Sequence, residues 1–245
     1  DVAYPQIDDY LQYVCAFLGV PGRAVDSGVP SADFHSYGAS VFSHFLDQRY
    51  GRDVIRWIWE EHQRRRSARL DNFDSALRSY NGTVLGVQNV SDAGIEAAYS
   101  EMGVWAWFVG DRFRDGFFAE GDRYASGFTP TFPVAAKVAV SDSGRLDHMS
   151  RTYIRLEPRL LPGGATIDTE LARGRWRRHL LLISPDSAEV RDLGSSGGVS
   201  LTGWDAWDDV VLVLSQVDVV GIGYDFEVIV TYDPDLVDGP APNSL

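Results

Sequence analysis

The residues of this chain best equipped for chemistry are five histidines (His35, His44, His62, His148 and His179), a single cysteine, a Gly-x-Ser-x-Gly run and two groups of aspartates. A zinc-hydrolase helix of the HExxH kind needs two histidines four apart with a glutamate after the first, so that both imidazoles reach one ion and the carboxylate activates its water. No pair meets that spacing. His62 follows Glu60 and Glu61, but Ile58 and Arg66 stand four residues away from it. His35 and His44 could approach only through the tertiary fold, and a hydrogen-bonded structural histidine is the expectation for each of the five. Cys15 has no partner for a disulfide or a thiolate metal site. Its neighbours Val14, Phe17 and Leu18 predict a small buried hydrophobe.

Gly194, Ser196 and Gly198 spell the pattern of a nucleophile elbow, in which a strained turn from strand to helix exposes the serine. The residues that follow, Val199 to Trp207, lack an amphipathic helical pattern, and no histidine lies after Ser196 to serve as base. A flexible turn between strands is expected there. Asp205, Asp208 and Asp209, and likewise Asp233, Asp235 and Asp238, offer oxygen ligands of the kind calcium takes. Neither group matches an EF-hand loop, and solvated turns are expected. Acidic residues are numerous enough for a glycosidase-like pair, yet no spacing singles one out. Trp57, Trp59, Trp105 and Trp107 fall in helical patterns, where core packing is expected rather than a sugar platform. The sequence thus assigns no catalytic, cofactor-binding or metal residue within this chain.

A formal net charge of −13 opposes binding to phosphate backbones, which requires clustered cations that release counterions, so no nucleic-acid partner is expected. The run Arg64, Arg65, Arg66 ends a predicted helix, where cations offset the negative end of the helix dipole. Hydrophobic residues make up 44%, too many for a disordered chain. No apolar run approaches the roughly 18 residues that span a bilayer, so no membrane span is expected.

The elements that must position these residues change character along the chain. Tyr10, Leu11, Val14, Phe17 and Leu18 share one face of a first helix; Val41, Phe42, Phe45 and Leu46 mark a second, stopped by Gly51. Asp53 is the expected N-cap of a third helix with an apolar stripe of Val54, Ile55, Ile58 and Trp59. A short helix over Phe73 to Tyr80 follows. Ser91 or Asp92 then caps a longer one through Ile95, Tyr99, Met102, Ala106 and Val109, closed by Gly110. After a Gly-, Asp- and aromatic-rich stretch from Gly110 to Pro133, short β-branched or aromatic segments predict strands. They run over Phe132 to Val140, Thr152 to Leu156, Ala165 to Leu171, Trp176 to Ser184, Val210 to Val217 and Tyr224 to Tyr232. The expected class is α+β, with a helical domain over 1–128 and an antiparallel β-sandwich over 129–245, separable at the stretch between them. Asp238 to Leu245 reads as a loose tail.

Several stretches resemble secreted bacterial zinc metallopeptidases of the gluzincin kind. They are Tyr37-Gly38-Ala39 through Phe45-Leu46, Arg49-Tyr50-Gly51 and Ile55-Arg56-Trp57-Ile58-Trp59-Glu60, then Glu101 through Gly110 and Phe118 to Tyr124. Asp1 to Pro5, followed by Asp9-Tyr10-Leu11, is similar to what comes just after that family's metal-binding segment. The likeness covers roughly the first 130 residues, and the remainder resembles the family's C-terminal sandwich only in general pattern. It implies an HExxH helix and a downstream glutamate as third ligand, neither of which matches a position here; both would lie before Asp1. On that resemblance the chain is the C-terminal portion of a secreted metallopeptidase-like protein, extracellular or at the cell surface. Its partner would be the upstream segment of its own gene product, and zinc would be the cofactor only where that segment is present. The alternative is a non-catalytic extracellular structural or binding protein on the same scaffold, with other extracellular proteins as partners. A third reading, a carbohydrate-binding β-module, calls for exposed coplanar aromatics in the second half. The sequons Asn81-Gly82-Thr83 and Asn89-Val90-Ser91 leave glycosylation open. Metal analysis of this chain alone is expected to find no stoichiometric transition metal; tight binding through His35, His44 or another of the five histidines would overturn that.

Overall fold

The computed structural model describes residues 10–27, 34–67, 69–86, 94–127, 129, 131–132, 139–158 and 162–236. The class is α+β. Among these residues run six helices, α1 (Leu11–Leu18), α2 (His35–Gly38), α3 (Ser40–Tyr50), α4 (Asp53–Arg65), α5 (Leu70–Thr83) and α6 (Ile95–Trp105). Nine strands follow: β1 (Thr131–Phe132), β2 (Ala139–Leu146), β3 (Ser150–Leu156), β4 (Gly164–Leu171), β5 (Trp176–Ile183), β6 (Ala188–Gly194), β7 (Val199–Thr202), β8 (Asp209–Gln216) and β9 (Tyr224–Asp233). The chain forms two compact units. The first holds Asp1–Phe128 together with two returns, Asp147–Arg151 and Val217–Ile222; the second holds the rest.

In the first unit, α1 buries Val14, Phe17 and Leu18, and α3 buries Val41, Phe42, Phe45 and Leu46, as the helical period requires. Gly38 lets α1 and α2 close on one another, since a Cβ there would stand 2.2 Å from the Tyr13 carbonyl oxygen. Cys15, expected to be buried, is exposed, because the stripe through Tyr10, Val14 and Phe17 turns position 15 outward. The stripe of α4 is narrower than expected. Val54 and Ile58 are buried and Ile55 packs beside them, but Trp59 is 70% exposed. Asp53 does not cap α4; Arg52 occupies the cap position without a side-chain bond, and Asp53 pairs with Arg56 one turn on at 3.4 Å.

Helix α5 is longer than the expected Phe73 to Tyr80, whereas α6 stops at Trp105, before the expected end at Gly110. Ser91 and Asp92 lie outside the described residues, and the start of α6 is held from α5. Asp74 accepts the Ile95 backbone N–H at 3.0 Å through one oxygen and Arg78 at 2.7 Å through the other. The stretch 110–127 joins this core, with Phe118 and Tyr124 buried. The returns join it too: Met149 and Val217 are core residues, and the Arg151 N–H reaches the Pro21 carbonyl at 2.8 Å. The Arg151 guanidinium is buried over the Phe17 and Tyr99 rings, 5.3 and 5.6 Å from their centroids.

The second unit contains a five-stranded sheet in the order β1-β3-β8-β5-β6 and a four-stranded sheet in the order β2-β9-β4-β7. β1 runs parallel to β3, while β5 is antiparallel to β6 and β8, and β9 is antiparallel to β2 and β4. One apolar cluster draws on both sheets, with Leu180, Leu182, Leu212 and Leu214 from the first and Ile167, Val228, Val230 and Tyr232 from the second. β9 alternates as its sequence pattern requires, Phe226, Val228, Val230 and Tyr232 turning inward. β6 and β7 were not legible in the sequence, β6 being largely exposed and β7 only four residues long. Of the expected strand over Phe132 to Val140, Phe132 ends β1 and Ala139 begins β2, which runs on to Leu146; residues 133–138 and the expected tail from Asp238 to Leu245 lie outside the described residues.

The turn from β6 to β7 is fastened by Arg178, which is 2% exposed. Its guanidinium donates to the Thr169 hydroxyl at 2.9 Å, to the Leu193 carbonyl at 2.8 Å, and to the carbonyls of Ser196 and Gly197. Burial pushes the Arg178 pKa below its ordinary value, with Asp192 opposing that shift, so these acceptors are what hold the cation in place. Replacing Arg178 with Met is expected to cost about 1–3 kcal/mol by removing the charged donor that these acceptors share. A lowered urea midpoint with an unchanged slope would report it.

Candidate functional site

The residues singled out by type do not assemble into one centre. Among the described residues no group of three His, Cys, Asp or Glu could hold a metal ion. His35 is fully buried against the Phe17 ring, 5.1 Å between centroids. His62 is wedged between Trp59 and Phe73. His148 contacts the Asp26 carboxylate at 2.7 Å and the Gly221 carbonyl at 2.6 Å, and His179 lies on β5. Ser196 sits on a turn between strands, its carbonyl occupied by Arg178, which is not the strand-to-helix setting of a nucleophile elbow. Asp209 is held by Arg155 in a two-pronged pair at 2.9 and 3.1 Å, and Asp233 accepts the Asp235 N–H at 2.9 Å; Asp238 lies outside the described residues. Asn81 of the first sequon is buried in α5, and Asn89 lies outside the described residues. Exposed aromatics occur in the helical unit, at Phe34, Tyr37 and Trp59, whereas the large exposed hydrophobics of the second half are aliphatic.

The polar cluster that does form surrounds Tyr10. Its hydroxyl donates to one oxygen of Glu120, and Arg123 donates to the other at 2.8 Å. Because the Tyr10 proton is committed to Glu120, its oxygen accepts from the Tyr124 hydroxyl at 3.2 Å. The His44 ring stacks on the Tyr10 ring with centroids 4.3 Å apart and planes 18° from parallel. Tyr10 and Tyr124 are buried, whereas His44 and Glu120 are half-exposed, so the cluster spans from core to surface. Burial, then the bond to Glu120, pushes the Tyr10 pKa far up; burial also raises Tyr124. Both phenols are therefore fixed as neutral donors, ordered toward a carboxylate. This is a hydrogen-bond relay that orients groups at the surface, and it contains no activated nucleophile.

Local structure explains the assembly. Tyr10 enters from the start of α1, and His44 projects from α3, one turn after the buried Val41 and beside Phe45. Glu120 and Tyr124 flank a 3-10 turn, Gly121–Arg123, anchored by the buried Phe118. Gln48 fixes the approach by accepting the Ala119 N–H at 3.0 Å. Residue type alone did not reveal the cluster, because Tyr10 and Glu120 are 110 positions apart and neither belongs to a spaced motif. The signal available was that Tyr10 and the stretch Phe118 to Tyr124 both fall in segments carrying the family resemblance.

Comparison with known proteins leaves this geometry without a named counterpart. No family model and no curated protein match the chain. Among solved structures it is similar to a periplasmic inhibitor of g-type lysozyme from Salmonella Typhimurium, with 14% identity over 42% of this chain and 93% of that one and a TM-score of 0.29. It is also similar to the Yersinia pseudotuberculosis-derived mitogen, with 8% identity over 44% of this chain and 92% of that one and a TM-score of 0.32. At such TM-scores neither likeness assigns a fold or a function. No helix among the described residues is long and apolar enough to cross a membrane.

Burial lowers the His44 pKa below its ordinary 6.5, with Glu120 and Asp47 opposing, and burial lowers His179 likewise. The unfolded chain therefore takes up protons first as pH falls. Stability is full above pH 6.5 and is lost as pH falls from there through the folded values. The urea midpoint is expected to drop between about pH 7.5 and about pH 5.5. A His44→Phe variant, which keeps the stack on Tyr10, should flatten that drop in part, the remainder belonging to His179. An unchanged profile would show that His44 does not titrate differently on folding.

Proposed function

We propose that this chain is the C-terminal portion of a secreted metallopeptidase-like protein, extracellular or at the cell surface, in which the metal-binding segment precedes Asp1. On this reading the helical part is a wall of the catalytic domain and the second part is a C-terminal antiparallel β-sandwich. The observation that carries it is the convergence of the segments bearing the resemblance. His44 stacks on Tyr10, the Phe45 and Trp105 rings meet edge to face at 5.0 Å, and Trp105 meets Phe118 at 5.4 Å. Arg49 also pairs with Glu101 at 2.6 Å. Four stretches scattered over more than a hundred residues thus interlock around one relay, as the parts of a single inherited scaffold would. The Tyr10–Glu120 relay would then brace the wall, and the zinc chemistry would belong to the upstream segment.

A second reading is favoured by a different feature. The Tyr13, Phe34 and Tyr37 rings cluster with centroids 5.2 to 6.3 Å apart, and Phe34 and Tyr37 are 47% and 62% exposed. Exposed aromatic clusters are common at binding surfaces, which suits a non-catalytic extracellular binding protein on the same scaffold. Intact mass and N-terminal sequencing of material expressed from the full gene, with zinc analysis, separate the two. The peptidase reading expects a segment carrying HExxH before Asp1, covalently continuous or co-purifying, with stoichiometric zinc. A gene encoding only a signal peptide upstream of Asp1 would overturn it and leave the binding protein.

A further inference from the structure

Helix α4 and the residues after it line an open depression. Its floor is Trp59, with 70% of its surface exposed and its indole N–H bonded to nothing among the described residues. The indole is not loose, because His62 stands edge-on to it at 6.4 Å and is itself packed against Phe73 at 5.0 Å. Arg56 and Arg66 share the lining with it, together with Gln63, Ser67 and Glu60. Charge is sorted across this face. Arg64 and Arg65 are neutralised by Glu61, and Arg69 pairs with Asp71, but Arg66 meets no carboxylate among the described residues and Arg56 has only a 3.4 Å contact with exposed Asp53. In a chain of net charge −13, a lining with two arginines and one carboxylate around an exposed indole is a local inversion of sign.

Backbone geometry adds an independent indication. Arg66 caps α4 in the left-handed conformation, with φ 51° and ψ 36°, where glycine is the usual residue and a side chain is strained. The cap bonds are present, from the Arg66 N–H to the Gln63 carbonyl and from the Ser67 N–H to the His62 carbonyl, both at 3.3 Å. Glycine would make them with less strain than the arginine found here. Strain of this kind concentrates at functional sites.

We propose that this depression binds an acidic carbohydrate, whose pyranose ring lies on Trp59 and whose carboxylate is taken by Arg66 and Arg56. A flat apolar face with side chains beside it that can bond hydroxyls suits a sugar ring, and a planar guanidinium suits a carboxylate. Glu60 and Gln63 accept and donate to hydroxyls, and the Glu60 charge disfavours densely anionic nucleic acid. The site is independent of any peptidase chemistry.

Calorimetric titration of the full chain with hexamers of galacturonate and of mannuronate tests the proposal. At least one is expected to bind, with a Trp59→Ala variant weakening it about tenfold or more. The methyl-esterified hexamer, having the same rings without charge, should also bind more weakly. Arg66→Gly should lose affinity about threefold or more without lowering the thermal midpoint, because glycine relieves the cap strain. That combination is not what a merely structural arginine would give. Binding of neither hexamer, or unchanged affinity in Trp59→Ala, would overturn the proposal. Equal binding of hexaglutamate would replace the sugar with an acidic peptide, and sedimentation showing a dimer lost in Trp59→Ala would replace it with a second copy of the chain.

Discussion

The helical unit depends on residues that reach it late in the chain. Met149 and Val217 are part of its apolar core, and Arg151 buries its guanidinium against Phe17 and Tyr99, donating to the Tyr99 hydroxyl at 3.2 Å. Around these returns the loop after α1 is tied by backbone bonds, from the Val25 N–H to the Met149 carbonyl and from the Asp147 N–H to the Gly22 carbonyl. A buried cation with aromatic faces and a phenol as its neighbours is tolerable only if those rings are fixed. Placement of α1 and α6 is therefore linked to residues 147–151. A chain ending at Phe128 would leave a gap where Met149 and Val217 belong, and cavities of that size are costly in a close-packed interior.

That dependence marks the limit of what the sequence reveals. Periodicity locates α1, α3, α4 and α6 and the strands β3, β4, β5, β8 and β9, because each buries one face and the burial pattern repeats at 3.6 or 2 residues, whereas β2, mostly exposed, begins only where the expected strand over Phe132 to Val140 ends. The end of α6 was misplaced because Ala106, Trp107, Phe108 and Val109 are as apolar as a helix face while packing as turns. The cap of α4 was misplaced by one residue because an aspartate suits the first turn, where its charge meets the positive end of the helix dipole, as well as it suits the cap itself. Cys15 and Trp59 were misjudged for one reason: an apolar residue next to a buried stripe is within a residue of pointing the other way, and composition cannot tell which.

The candidate sites were less legible than the fold. Arg178 takes the Ser196 carbonyl and Arg155 takes the Asp209 carboxylate, contacts that local spacing does not announce. The Tyr10 relay joins ordinary residue types across the whole helical unit, and nothing in local spacing announces it. What was readable was the grouping of segments by resemblance, which brought Tyr10, His44 and Glu120 into view without assigning them roles.

The two polar regions of the helical unit differ in how their hydrogen bonds are distributed. Around Tyr10, each phenol has a partner and both oxygens of Glu120 face donors, so the network is closed and its gain is order within the fold. On α4, the Trp59 N–H and the Arg66 guanidinium have no partner among the described residues, while His62 stands edge-on to the indole and the left-handed cap sets where the Arg66 side chain leaves the backbone. Water can satisfy such groups, so leaving them open costs little stability by itself. The cost lies in exposing an indole and straining a cap, neither of which improves the fold. A closed network restrains the scaffold, whereas donors held in place but left open are positioned for something that arrives from solution.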